Sequence, residues 1–298
     1  MGLKRVLLLS VGLLAAAPSV FAAESQFGFV YTTDLLPKGE KEIEQWITLR
    51  EQKNHGTFHQ IDGRTEIEYG QSDDFQLAVY LNYSWTDAYK NGPDGATTAP
   101  EPFSSLNPPD PNKRYQASLF TGLAVEGLWR LMSPYTDPLG LALYVEPVWG
   151  PNFFEVESRA ILQKNYLDDT LVFAFNFTYA PEFRKNPGES TWNTEADTNY
   201  TFGASYRFAS NWSGGFEFLN EQEYQSFLES KRISSDAWFF GPSFHYGGKR
   251  FFATVVVLAQ VPWVNRFPDS QPGAISGGYN GDVDFERYRV RAKLGWLF

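Results

Sequence analysis

Four cations stand at alternate positions near the end of the chain: Arg287, Arg289, Arg291 and Lys293. In a β-strand this spacing puts all four on one face, with neighbours roughly 7 Å apart. A cationic ladder along a confined aqueous passage would attract and guide anions. Opposite charge recurs at the same spacing elsewhere. Glu155, Glu157 and Arg159 form one set, and Glu44, Glu66 and Glu68 form another on two early segments. Arg207, Arg50, Arg64, Glu126, Arg130, Glu146, Glu217 and Glu221 add single charges in like positions. Two readings follow. Part of the ladder faces a solute path with a field across it, or Glu44, Glu66 and Glu68 pair with it, since like charges in a confined space need counter-charges. Tyr80, Phe120, Tyr144, Phe239 and Phe252 fall on the same face by their phase and keep an apolar track open as an alternative.

Hydrolytic chemistry has little to work with. The nearest nucleophile and base are Ser243 and His245, separated by Phe244, and no orienting third group is apparent in the sequence. His55 and His59 flank a tight loop, but two histidines without a third ligand do not make a metal centre. The chain has no cysteine, so neither disulfides nor thiolate metal sites arise. No catalytic residue, cofactor or metal is expected, and the chain does not read as an enzyme.

The charges are carried by alternating segments. From Asp74 to Thr86, Phe75, Leu77, Val79, Leu81, Tyr83 and Trp85 share one face, with Gln76, Ala78, Tyr80, Asn82 and Ser84 on the other. A helix would scatter the first set around its circumference. At the end of the chain Tyr288, Val290, Ala292, Leu294, Trp296 and Phe298 alternate with the cationic ladder. Ten similar strands are predicted at 41–52, 57–70, 115–131, 140–150, 153–164, 170–180, 197–209, 211–222, 236–246 and 250–263. Pro147 and Pro242 fall inside two of them and suggest bulges or different limits. The 250–263 strand is apolar on both faces, which leaves its phase open.

Connections sort into short turns and long Pro-, Gly-, Asn- and Asp-rich loops, nearly by alternation, with 53–56 and 150–152 as short exceptions on the long side. Aromatics make up 17% of the chain while mean hydropathy is −0.35, so large apolar groups are dispersed among polar ones. Trp85, Trp149 and Trp263 fall near the loop ends, and Trp212, Trp296 and Phe298 near the turn ends, where membrane-interface girdles would stand. These features predict an all-β fold, a transmembrane antiparallel up-and-down β-barrel of 12 strands. At ~4.8 Å between strands and ~40° tilt, its backbone cylinder has a radius of roughly 12 Å, narrower than large porins.

Lys4 and Arg5 followed by an apolar run to Ala17 and by Val20-Phe21-Ala22 read as an export signal over 1–22. Residues 23–40 would be a periplasmic tail or a plug, and Phe27, Phe29 and Tyr31 could mark an extra strand; the barrel takes 41–298. A net charge of −10 gives no footprint for nucleic acid.

Taken together, the signal, the alternating strands and a last strand ending Leu294-Gly295-Trp296-Leu297-Phe298 resemble a Gram-negative outer-membrane β-barrel protein. The stretch from Glu66 to Tyr80 is similar to a hairpin of uncharacterised proteobacterial barrels and of transporters of the phenol-degradation meta-pathway type. The resemblance implies an outer-membrane location among lipid and lipopolysaccharide, and insertion by the barrel-assembly machinery through the last strand. The expected function is a narrow channel or passive transporter for small solutes. The alternatives are a structural or ligand-binding barrel using its long loops, and a phospholipase-like barrel enzyme.

Overall fold

The computed structural model describes residues 26–185, 188–227, 233–265 and 273–298; the expected signal 1–22 lies outside them. Twelve antiparallel strands close on themselves: β1 (Lys41–Glu51), β2 (Thr57–Ser72), β3 (Phe75–Tyr89), β4 (Tyr115–Met132), β5 (Gly140–Gly150), β6 (Phe153–Tyr166), β7 (Leu171–Arg184), β8 (Asn193–Ala209), β9 (Trp212–Tyr224), β10 (Ile233–Gly247), β11 (Phe251–Gln260) and β14 (Tyr288–Leu297). Each pairs with its sequence neighbour, and β1 pairs with β14 to complete the cylinder. A two-residue hairpin, β12 (Ile275–Ser276) with β13 (Tyr279–Asn280), and a single helical turn α1 (Phe103–Leu106) decorate the long loops. Closure leaves no strand edge unpaired, which a wall facing hydrocarbon requires.

The alternation has the expected sense. Val79, Ile67, Leu143 and Val255 are exposed on the outer wall, while Tyr80, Tyr144, Phe239 and Phe252 are buried inside. Trp149, Trp212, Trp263, Trp296 and Phe298 are exposed on the outer surface, and Trp85 faces the same way, half-buried. One residue departs from the expected phase. Asn82 pairs with Gly122 but Tyr83 pairs with Phe120, so Thr121 is an extra residue in β4. A bulge of this kind reverses the facing of everything before it. Phe120 is consequently 48% exposed on the outer wall and does not line the interior.

The prolines do not end their strands. β4 and β5 pair up to Ala124 with Val148 and resume at Gly127 with Val145, stepping over Pro147. β10 and β11 likewise skip Pro242 between Phe240 with Ala259 and Ser243 with Val256. A ring nitrogen with no hydrogen interrupts the ladder on one side only, so the strand runs on.

Candidate functional site

The interior is divided by the chain's own beginning. Phe27, Phe29, Val30, Leu35 and Leu36 are buried inside the barrel. An unpaired backbone there needs partners, and inward side chains supply them in place of a neighbouring strand. The Glu217 carboxylate accepts the amides of Gly28 at 2.7 Å, Phe29 at 2.7 Å and Val30 at 3.2 Å. Asn176 accepts from the Tyr31 amide at 2.7 Å and donates to its carbonyl at 2.8 Å. Gln163 accepts the Thr33 amide at 2.7 Å and Gln76 the Leu36 amide at 2.8 Å. The segment therefore crosses from β9 to β3 and leaves by the turn end, where the Gly39 amide bonds the Gly70 carbonyl at 2.7 Å.

The lumen wall is shaped to receive it. A Cβ at Gly203 would fall 2.6 Å from the Phe27 ring, and one at Gly70 would fall 2.2 Å from the Pro37 carbonyl oxygen. Val256 and Leu258 pack inward with Phe29, Leu219, Phe239 and Phe285. That cluster explains why β11 is apolar on both faces: its outer side belongs to the barrel's exposed apolar wall and its inner side meets the segment and a loop.

Long loops cover the other end. Arg50 of β1 donates to Glu286 at 2.7 Å and to the Asp284 carbonyl. The Lys53 ammonium donates to the carbonyls of Asp282, Val283 and Phe285. Burial, and then the neighbouring Arg50, lower the Lys53 pKa to about 8. From the other long loop Glu101 reaches Arg184 of β7 at 2.9 Å.

Two adjoining cavities of about 480 and 560 Å³ lie between segment and loops, sharing Arg50, Glu155, Arg184 and Arg289 in their walls. Their charge is not that of a free cationic ladder. Arg289 is held by Glu221 at 2.6 Å and by Glu286. Arg291 bonds the Gly28 carbonyl at 3.1 Å and Thr48 at 2.9 Å, and lies 3.9 Å over the Phe29 ring. Arg287 stacks at 3.5 Å on Tyr279 of the loop hairpin, away from the others. Lys293 stands 3.8 Å from Glu44 and 4.3 Å from the Trp46 ring. Each rung thus has a separate task.

The remaining expected residues divide between chamber and rim. Arg159 pairs with Glu157 and lies 4.2 Å over the Tyr31 ring, and Arg64 pairs with Glu146 at 3.2 Å, all on the chamber wall. Glu66 and Glu68 are buried with Glu44 nearer the turn end, and Arg207 stands at the turn end of β8, outside both cavities. Among the described residues, Glu155, Asp197 and Glu223 of the cavity wall have no ion-pair partner. The sequence reading did not single out Asp197 or Glu223; their two-residue spacing from Asn199 and Glu221 on the same strands was the available signal. Ser243 and His245 both point inward, but the His245 Nδ1 hydrogen-bonds Thr254 at 2.8 Å, and no bond joins it to Ser243. His59 pairs with Glu51 on the outer rim.

Comparison with solved structures agrees with the barrel. An outer-membrane channel of Pseudomonas putida F1 superposes with a TM-score of 0.58 over 89% of this chain and 98% of its own, at 9% identity. The NanC porin does so with a TM-score of 0.51 over 85% and 98%, at 7% identity. At such identities the likeness is one of fold. No curated protein matches the chain, and the comparisons add no support to the single-hairpin likeness to phenol-degradation transporters. A family model does match, and it spans residues 19–298; the chain belongs to the family of unknown function DUF6662.

Proposed function

We propose that this chain is an outer-membrane channel or passive transporter for small polar solutes, obstructed by its own beginning and favouring cations over anions. The observation that carries the reading is the chamber lined by charged side chains that the barrel encloses between residues 26–37 and the loops. A wall that is apolar outside and charged inside suits a water-filled passage through a bilayer. The fold shared with an outer-membrane channel and a porin supports that placement. Among the described residues, Glu155, Asp197 and Glu223 stand on the chamber wall without an ion-pair partner, whereas every rung of the ladder is engaged, which supports an acidic excess facing a solute.

Planar-bilayer recording in a salt gradient tests both halves. Discrete openings whose reversal potential shows cation preference are expected, and the combined Glu155→Gln, Asp197→Asn, Glu223→Gln variant should lose most of that preference at similar conductance. A folded barrel that never conducts, even with Glu217→Ala releasing the inner segment, would refute the channel. Conduction with anion preference would refute only the selectivity.

A further inference from the structure

Below the chamber, between the inner segment and the turn-end rim, the wall concentrates carboxylates that the channel reading does not use. Glu42 and Glu44 lie on β1 and face Glu68 and Glu66 of β2 as direct cross-strand partners. Glu68 continues through Ala78 of β3 to Glu126 of β4, the small alanine leaving room between the two acids. All five are buried. One carboxylate oxygen from each of Glu42, Glu44 and Glu68 lies within 4.8 Å of the other two.

That spacing matches one ion touching all three. Carboxylate oxygens bind calcium at about 2.3–2.6 Å, so two ligands of the same ion stand no more than about 5 Å apart. A second observation points the same way. Glu66 and Glu126, each 1% exposed, keep the oxygen Oε2 without any hydrogen-bond donor. Glu66 stands directly across from Glu44, and Glu126 is two strands beyond Glu68 in the same row. Buried acceptors without donors are rare and costly. Lys293 approaches Glu44 at 3.8 Å and the Gln76 amide donates to Glu68 at 2.7 Å, yet neither donates to the bare oxygens of Glu66 and Glu126, and Arg64 is engaged by Glu146.

We propose that Glu42, Glu44 and Glu68 bind a hard divalent cation of the calcium class, with Glu66 and Glu126 completing its oxygen shell. Such an ion ties β1 to β2 beside the seam where β1 meets β14, next to the point where the inner segment leaves. Glu42 pairs with Leu297 at the end of β14, so the site is within two residues of the rim.

The site carries its own reporter, because the Trp46 indole N–H donates to Glu44. Terbium(III) replaces calcium at oxygen sites and emits when a nearby indole is excited. Titrating the folded barrel with terbium should give saturable tryptophan-sensitised emission that calcium competes away. Glu68→Gln should weaken binding by about tenfold or more, since affinity at such sites follows ligand charge. Trp46→Phe should remove the emission while calorimetry still detects calcium. Absence of saturable emission from the wild-type barrel would overturn the proposal, the carboxylates then holding protons. Emission undiminished in the Glu44→Gln, Glu68→Gln double variant would also overturn it by placing the ion elsewhere. If that variant fails to fold, Glu66→Gln and Glu126→Gln serve singly, with unchanged terbium affinity in both counting against the site.

Discussion

Replacing Glu217 with alanine removes the main polar anchor of the inner segment. Its two oxygens accept three consecutive amides, at 2.7, 2.7 and 3.2 Å, in a buried setting. A hydrogen bond to a charged group contributes about 1.5–3 kcal/mol net. The third and longest bond shares an oxygen with the second, so two bonds give the scale. Water entering the vacated site returns part of the loss. A net weakening of about 3 kcal/mol remains, and at about 1.4 kcal/mol per factor of ten this is roughly a hundredfold rise in the released population. Asn176, Gln163 and Gln76 still hold the later residues, so release should begin at Gly28–Val30 and fade toward Leu36. Amide hydrogen exchange followed by mass spectrometry reads this directly: exchange over 28–30 should accelerate by roughly a hundredfold, with the β3 amides unchanged. Equal exchange in variant and wild type would refute the anchoring role. Acceleration spread evenly over the wall strands would show that Glu217 supports the barrel and not the segment.

The bulge at Thr121 makes Phe120 a lipid-facing residue, so Phe120→Arg should impair folding into bilayers, by up to ~2–4 kcal/mol if it lies near the midplane; normal folding efficiency on a gel-shift assay would place the side chain in the lumen instead. Lys53 supplies a pH dependence. Its pKa is lowered from 10.5 to about 8 in the folded protein, so between those values the folded state holds fewer protons than the unfolded one. Stability should rise with pH across that window, by on the order of 3 kcal/mol at most. Melting in detergent at pH 7.5 and 9.5 checks this, and Lys53→Met should abolish the difference; a melting temperature that falls equally in both proteins would contradict the assignment.

Strand order, closure and the outward aromatic belt were legible in the sequence because each rests on local, repeating information. Period-2 alternation fixes which face turns outward, and loop lengths fix which end is which. The reading failed at Phe120 because one inserted residue in β4 changes the phase without changing composition. Pro147 and Pro242 looked like interruptions, yet a missing amide hydrogen breaks only one side of a ladder.

The fate of the inward charges could not be read in the same way. The ladder from Arg287 to Lys293 is visible in the sequence, but whether its rungs face solute, a loop, the inner segment or Glu44 depends on residues up to 263 positions away. The double-sided apolar character of β11 was a trace of the segment it receives, readable only once Phe29 and Phe285 are seen against it. Alternation along a strand determined on which side of the wall each residue lies. What stands opposite it across the lumen was decided by tertiary structure alone, because closing a cylinder brings together strands whose separation in sequence carries no local signal.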